Sequence, residues 1–288
     1  MASSVPGGFA ELLRRLELTQ DQSATASTRA KAFKDFFDVN FTMAEQAFTI
    51  GSYRRGTLIR PERDIDLLAP LHYSTYKERY DRDSRAFLYF VRNKLNDSYA
   101  NTRVSSREVA VLLDFNIIRA DLVPAFPRKG GGYFIPNGKK GWTATNPDYH
   151  ADLIGNRDHD LDKRLKPLIR LMKFWNIQND RHLRSFHVEL MIWRMWQRDA
   201  SIPAYSTAVM QSIDAMRSWV RSGFDDPWEE GGRIDKYLSS RDRTMVLRML
   251  NQDAKSSAQA EDYRNEGKTE KAFERWNAVF RRGFPAYG

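Results

Sequence analysis

The sequence predicts an α+β fold of mixed α/β character, with a mixed-sheet lobe followed by a helical lobe and a cleft between the two. Three observations carry this expectation. Through the first 146 residues, short strand-like runs, alternating as in Asp64-Ile65-Asp66-Leu67 or continuously apolar as in Val109-Ala110-Val111-Leu112-Leu113, are interspersed with longer runs of helical spacing. From Pro147 onward the spacing is helical throughout, punctuated by Gly, Pro and Asn. The 288 residues also exceed the usual single-domain size, so two lobes are expected, residues 1–146 and 147–288, with the N-terminal helices partly spanning both.

Taken in order, a short helix is expected over residues 9–18. Residues 28–48 carry Phe33, Phe36, Phe37, Phe41 and Met43 at near-helical spacing, a long helix with an aromatic core face. A Gly51-Ser52 turn and a second turn at Gly56 lead into a strand at 65–68. Residues 76–99 read as one charged amphipathic helix with Phe87, Phe90, Val91 and Leu95 inward. Strands follow at 109–113 and 117–123, joined tightly at 115–116, and the loop Gly130-Gly131-Gly132 opens a short strand over 133–138. The second half reads as helices at 147–156, 160–176, 182–198, 206–223, 239–265 and 269–282. Trp175, Trp193 and Trp196 pack between helices, and Trp276, Phe280 and Phe284 return to the core.

Composition narrows the class. Hydrophobic residues make up 41% and aromatics 12%, enough for real cores, and the net charge of +9 favours anionic partners without separating nucleotides from nucleic acid. The absence of cysteine excludes a disulfide framework, a zinc ribbon and a catalytic thiol, and the five histidines show no metal-ligand spacing. With no apolar run of signal-peptide or membrane-spanning length, the expectation is a cytoplasmic chain without a membrane partner.

The chemistry concentrates at two places. In a strand, Asp64 and Asp66 face the same way while Ile65 and Leu67 face the core. Such a pair, about 6 to 7 Å apart along the strand, can converge on two divalent ions of the kind that clamp attacking and leaving oxygens in phosphoryl transfer. Asp121, flanked by apolar residues on a second strand, is a buried carboxylate that needs a partner, and metal would supply it. Oxygen ligands point to two Mg2+ ions, with Mn2+ as an alternative. Gly51 lets the backbone approach phosphate and Ser52 adds a hydroxyl, so the turn before the aspartates suits a triphosphate.

In chain order the sequence carries Gly51-Ser52-Tyr53-Arg54-Arg55-Gly56-Thr57, Asp64-Ile65-Asp66, Asp121-Leu122-Val123-Pro124-Ala125, and Trp142 with Asn146-Pro147. Leu168-Ile169-Arg170-Leu171-Met172-Lys173-Phe174-Trp175-Asn176, Ser185-Phe186-His187-Val188-Glu189 and Phe280-Arg281-Arg282-Gly283-Phe284-Pro285 follow. Together these resemble the cGAS/DncV-like nucleotidyltransferases (CD-NTases) of the DNA polymerase β-like superfamily, over most of the chain. One departure is Phe280-Arg281-Arg282-Gly283, where many relatives have a tighter Phe-Gly.

The resemblance implies a polymerase β-like catalytic lobe packed on a helical lobe. It implies that Asp64, Asp66 and Asp121 bind two magnesium ions, with Asp121 also favouring deprotonation of the attacking ribose hydroxyl. Gly51 and Ser52 would hold the donor triphosphate, Lys173 would reach it as a point charge, Ser185 would add a hydroxyl contact, and Phe186 would stack on a base. The implied activity joins ribonucleoside triphosphates into a cyclic di- or trinucleotide with release of pyrophosphate, nucleic acid not being required. The product would act on a separate effector in bacterial anti-phage defence. The end Ala286-Tyr287-Gly288 would suit conjugation by ubiquitin-transfer-like enzymes.

Each residue also has a plainer reading. Asp64 and Asp66 are then the solvent face of an edge strand, Lys173 a solvated lysine opposite Leu168, Leu171 and Met172, and Phe186 a core residue. Arg54 and Arg55 either touch phosphates or stay exposed, and Asn156 and Asn176 lie where base-reading groups could sit. Two other functions share the aspartates or the charge: a linear oligoadenylate or RNA-extending nucleotidyltransferase, and a non-catalytic nucleotide- or nucleic-acid-binding module.

Overall fold

The computed structural model of the chain describes residues 2–100, 102–115 and 118–288. Residues 116 and 117, where the tight join and the start of the second strand were expected, lie outside the described residues. The chain divides into two compact units, a sheet unit of Leu18–Leu58 with Glu62–Asp152 and a helical unit of Met1–Glu17, Ile59–Pro61 and Leu153–Gly288. The division falls inside a helix rather than at 146/147, and the first helix groups with the helical unit.

That first helix, α1 (Val5–Leu16), buries Val5, Phe9, Leu12 and Leu16 at helical spacing. The sheet unit opens with α2 (Gln20–Asn40), whose start is set by a capping box between Thr19 and Gln22. The expected helix over 28–48 is therefore shifted towards the N-terminus and ends at Asn40, and its last residue, Phe48, instead opens β1 (Phe48–Ile50). Gly51 and Ser52 open a five-residue helix, α3 (Gly51–Arg55), closed by Gly56 in the left-handed conformation. After β2 (Asp64–Pro70), the helix expected over 76–99 is broken in two, α4 (Tyr73–Tyr80) and α5 (Ser84–Ser98). Asp83 causes the break, because its side chain accepts from the Arg85 and Ala86 N–H groups and caps α5.

The remaining strands are β3 (Arg103–Ser106), β4 (Val111–Asp114), β5 (Arg119–Pro127), β6 (Tyr133–Pro136) and β7 (Trp142–Thr145). Sheet order is β1-β2-β5-β4-β3, with β6 pairing both β5 and β7. Strands β2 and β5 are parallel and every other pair is antiparallel. Pro124 sits inside β5 without breaking the ladder. The Arg119 N–H and the Ala125 carbonyl bond towards the β2 side, so even-numbered residues face the other edge. Pairing to β4 ends at Leu122 and pairing to β6 begins at Phe126, so the missing Pro124 N–H falls in the gap. One sheet face, including Ile65, Leu67, Ala120 and Leu122, packs on Phe33, Phe37, Phe87 and Val91.

The helical unit continues with α6 (Pro147–Asp160), α7 (Leu165–Gln178), α8 (Ser185–Met195), α9 (Tyr205–Ser222), α10 (Ser240–Asn265) and α11 (Thr269–Val279). Helix α7 is buried on nearly every side from Leu168 to Asn176, as a central helix must be. The expected return of the C-terminal aromatics is observed: Trp276 and Phe284 each pack edge-on against Phe9 at 4.9 Å between ring centres. This contact ties α1 to the helical unit. Among the described residues no helix is long and apolar enough to cross a membrane.

His187 on α8 is fully buried, with Nδ1 3.0 Å from the Tyr237 hydroxyl and no hydrogen-bond partner at Nε2. Burial lowers its pKa from 6.5 to about 4, partly opposed by Asp235 and helped by Arg243. The folded state thus holds it neutral while the unfolded chain protonates it below about 6.5, so stability present above that pH is lost as pH falls towards 4. The loss is expected to be on the order of 3 kcal/mol. Denaturant titrations from pH 7 to pH 4 check this, and His187→Leu is expected to flatten that part of the profile.

Candidate active site

The site begins with strand register. Parallel pairing of β2 with β5 puts Asp64 opposite Arg119 and Asp66 opposite Asp121, and residues directly opposite point to the same face. Asp64, Asp66, Arg119 and Asp121 therefore share the face away from the Phe33 and Phe87 core, with neighbouring strands about 4.8 Å apart. Antiparallel pairing with β4 adds Asp114, opposite Arg119 from the other side. The alternation read from the sequence is present, and the aspartates lie on interior strands of the sheet rather than at its edge.

The Gly51 turn abuts this face. Ile50 pairs with Asp66, and a Cβ at Gly51, where φ is +66°, would stand 1.9 Å from Asp66 Oδ2. Glycine is required there twice over, by conformation and by space. The Ser52 carbonyl accepts from the Thr57 and Leu58 N–H groups, which closes the turn behind it. Of the neighbouring arginines, Arg54 pairs with Asp148 at 2.7 Å and lies over the Phe48 ring, and Arg55 is buried.

Charge on the face is unevenly compensated. Arg119 donates through Nε to Asp64 Oδ1 at 2.5 Å and through Nη2 to Oδ2 at 2.7 Å, a two-pronged pair. Asp121 Oδ1 is buried with no hydrogen-bond partner, and its Oδ2 lies 3.9 Å from Arg107 Nη1. Burial raises the Asp121 pKa above the ordinary carboxylate value, Arg107 opposing and Asp64 reinforcing the shift. Among the described residues no three carboxylates or imidazoles stand together closely enough to hold a metal ion, and Asp64 is turned onto Arg119. The donors still fit a hard divalent cation. All three are carboxylates on adjacent strands, one oxygen is buried without a partner, and a guanidinium supplies positive charge at another.

Lys173, Ser185 and Phe186 belong to the helical unit. Lys173 is not the solvated lysine of the plainer reading. It is 1% exposed, and its Nζ lies 3.6 Å from Oε1 of fully buried Glu189. Ser185 opens α8 and is half-buried, and Phe186 packs against the helical core while partly exposed. The rest of the Lys173-Phe174-Trp175-Asn176 run is structural. Trp175 Nε1 donates to Asp253 at 2.8 Å, and Asn176 both donates to and accepts from the Leu183 backbone. Asn176 is thereby spent inside the fold, whereas Asn156 is exposed on α6.

The departure at Phe280-Arg281-Arg282-Gly283 has a local explanation. Arg281 and Arg282 take positive φ, and Arg281 donates to Asp253 at 2.9 and 3.1 Å. Phe280 stacks on Phe174, whose ring would lie 2.7 Å from a Cβ at Gly283. The longer turn thus supplies the second partner of the buried Asp253. Sequence reasoning missed Arg119, Arg107 and Asp114 at the carboxylate face. Arg119 stands two residues before Asp121, so period two alone places it on that face, but its pairing with Asp64 needed the register.

The profile of the family described as the Second Messenger Oligonucleotide or Dinucleotide Synthetase domain matches residues 4–157. The chain belongs to this family, and so to the CD-NTase class of nucleotidyltransferases that its motifs resemble. It is similar to a cyclic AMP-AMP-AMP synthase from an Acinetobacter species, 23% identical over 96% of this chain and 84% of the relative. Its fold is that of Escherichia coli MS115-1 CdnC, solved with ATP, at a TM-score of 0.80, with 16% identity over 97% and 98% of the two chains. The Vibrio cholerae cyclic AMP-GMP synthase DncV, solved with nonhydrolyzable GTP, has a TM-score of 0.63, with 15% identity over 82% and 68%.

Two outcomes are expected. Gly51→Ala should lower kcat/KM by about 100-fold or more and lower the melting temperature as well, because the added methyl group strains a left-handed backbone and displaces Asp66 or the turn. Lys173→Met should lower folding stability by about 3 to 5 kcal/mol, because it leaves Glu189 buried without the lysine charge. Denaturant unfolding checks the latter; an unchanged midpoint would assign Lys173 no share in the fold.

Proposed function

We propose that this chain is a Mg2+-dependent cyclic oligonucleotide synthase acting in the bacterial cytoplasm in anti-phage defence. Its product would be a cyclic di- or trinucleotide that activates a separate effector. The observation that carries the reading is the register that puts Asp64, Asp66 and Asp121 on one sheet face, with Gly51 against Asp66. The Acinetobacter relative, named for a trinucleotide, supports looking for a ring of three beside a ring of two.

In this reading Asp64, Asp66 and Asp121 hold divalent cations, which when bound neutralise charge on the α-phosphate and acidify the acceptor hydroxyl. The protein contributes placement. The Gly51-Ser52 turn seats the donor triphosphate beside Asp66, with Ser185 proposed as a further phosphate contact and Phe186 as a surface for a base, whereas the burial of Lys173 against Glu189 favours a structural role for that lysine over a phosphate contact. Asp121 orients the acceptor ribose hydroxyl and draws its proton, so that the oxygen attacks in line and pyrophosphate leaves. A second attack within the linear intermediate closes the ring, and no primer or template is needed.

The test is mass spectrometry of products formed from the four ribonucleoside triphosphates with Mg2+. Short, phosphatase-resistant products are expected. Asp64→Asn, Asp66→Asn and Asp121→Asn should each reduce them by about 1,000-fold or more. Extension of an added RNA would select the linear polymerase reading instead, and full activity in the Asp64→Asn, Asp66→Asn double variant would remove the enzyme reading altogether.

A further inference from the structure

We propose that Arg119 is a two-position counter-ion. It holds Asp64 when no divalent cation is bound there, and passes to Asp114 when a cation takes Asp64. The inference rests on reading the aspartate face as the metal site. It adds a residue whose movement gates loading of that site.

Both acceptors follow from the sheet. Arg119 lies directly opposite Asp64 on β2 and directly opposite Asp114 on β4, so one side chain in the middle has a carboxylate on either hand, on the same face. In the present arrangement both Asp64 oxygens are taken by Arg119, at 2.5 and 2.7 Å. A cation cannot use either oxygen fully without displacing that pair, so competition at Asp64 is direct. Asp114 is more loosely engaged. Its Oδ1 lies 3.5 Å from Arg63 Nη2, beyond good hydrogen-bond geometry, and Arg103 is its cross-strand neighbour on β3. A guanidinium released from Asp64 therefore has a carboxylate within reach across the adjacent strand.

The pair is suited to exchange. Arg119 and Asp64 side chains are each about one-third exposed, 31% and 34%, and an exposed pair of this kind shifts an equilibrium by at most about fivefold. Were it fully buried, removal of one partner would be prohibitive. The remaining charges facing Arg119 point the same way. Asp121 on its own strand adds negative charge, and Arg107 at 3.9 Å from Asp121 keeps part of that charge occupied. Without Arg119 the face would present Asp64, Asp66, Asp114 and Asp121 together, a repulsion that the guanidinium relieves while the cation is absent.

The probe is Mn2+ alone, without nucleotide, titrated into the full chain and read by electron paramagnetic resonance of free Mn2+. Arg119→Gln is expected to tighten Mn2+ binding by about fivefold, and Arg119→Lys, which keeps the charge but not the two-pronged geometry, by less. Asp114→Asn is expected to weaken binding in the wild-type background and to do so much less in the Arg119→Gln background, since its effect runs through Arg119. The proposal is overturned if Arg119→Gln and Arg119→Lys both bind Mn2+ no tighter than wild type. It is equally overturned if Asp114→Asn weakens binding to the same extent in both backgrounds, which is simple loss of charge. If Asp66→Asn binds Mn2+ as wild type does, the metal-site reading itself fails, an outcome distinct from the other two.

Discussion

The parallel pairing of β2 with β5 is the contact on which the rest depends. It sets Asp66 beside Asp121 and Asp64 beside Arg119, and it does so because Ile65, Leu67, Ala120 and Leu122 have only one face on which to be buried. A slip of one residue would send carboxylates into the Phe33 and Phe87 core and leucines to the other face. Burial of apolar side chains is therefore what holds four charged groups in one place, although none of those charges would be stable there for its own sake.

The helical unit follows a comparable logic around α7. Its polar groups are not left to solvent but are paired inside the unit: Lys173 with Glu189, Trp175 with Asp253, Asn176 with the Leu183 backbone. Asp253 keeps a raised pKa from burial, offset by Arg281 and Trp175, so the C-terminal turn and α7 share one buried charge. The stacking of Phe280 on Phe174 and the packing of Trp276 and Phe284 on Phe9 draw the first and last helices of the unit into the same cluster. Polar pairing here selects one arrangement of helices that apolar packing alone would leave less defined.

Much of this was legible in the sequence, for stated reasons. Period two identified β2 and the Asp64, Asp66 face, and apolar flanks identified the strand of Asp121. The strands β3 and β7 were not legible, since Arg103-Val104-Ser105-Ser106 and Trp142-Thr143-Ala144-Thr145 are short and largely polar and owe their extended form to the neighbours they pair with. The capping box at Thr19 and the cap at Asp83 were present as local signals, but apolar spacing across 28–48 and 76–99 outweighed them. Lys173 shows the deeper limit. Its opposite-face position on a single helix reads as solvent exposure, and only the packing of a second helix bearing Glu189 turns that face inward.

The close approach of Gly51 to Asp66 bears on how such a chain can vary. A side chain at position 51 would need the volume that the Asp66 carboxylate already fills, and Asp66 cannot shorten without surrendering its oxygens. The two positions, 15 apart in sequence and joined across β1 and β2, thus behave as a single heritable unit. Neither can drift alone, and a compensating pair of changes would have to rebuild the turn and the carboxylate together.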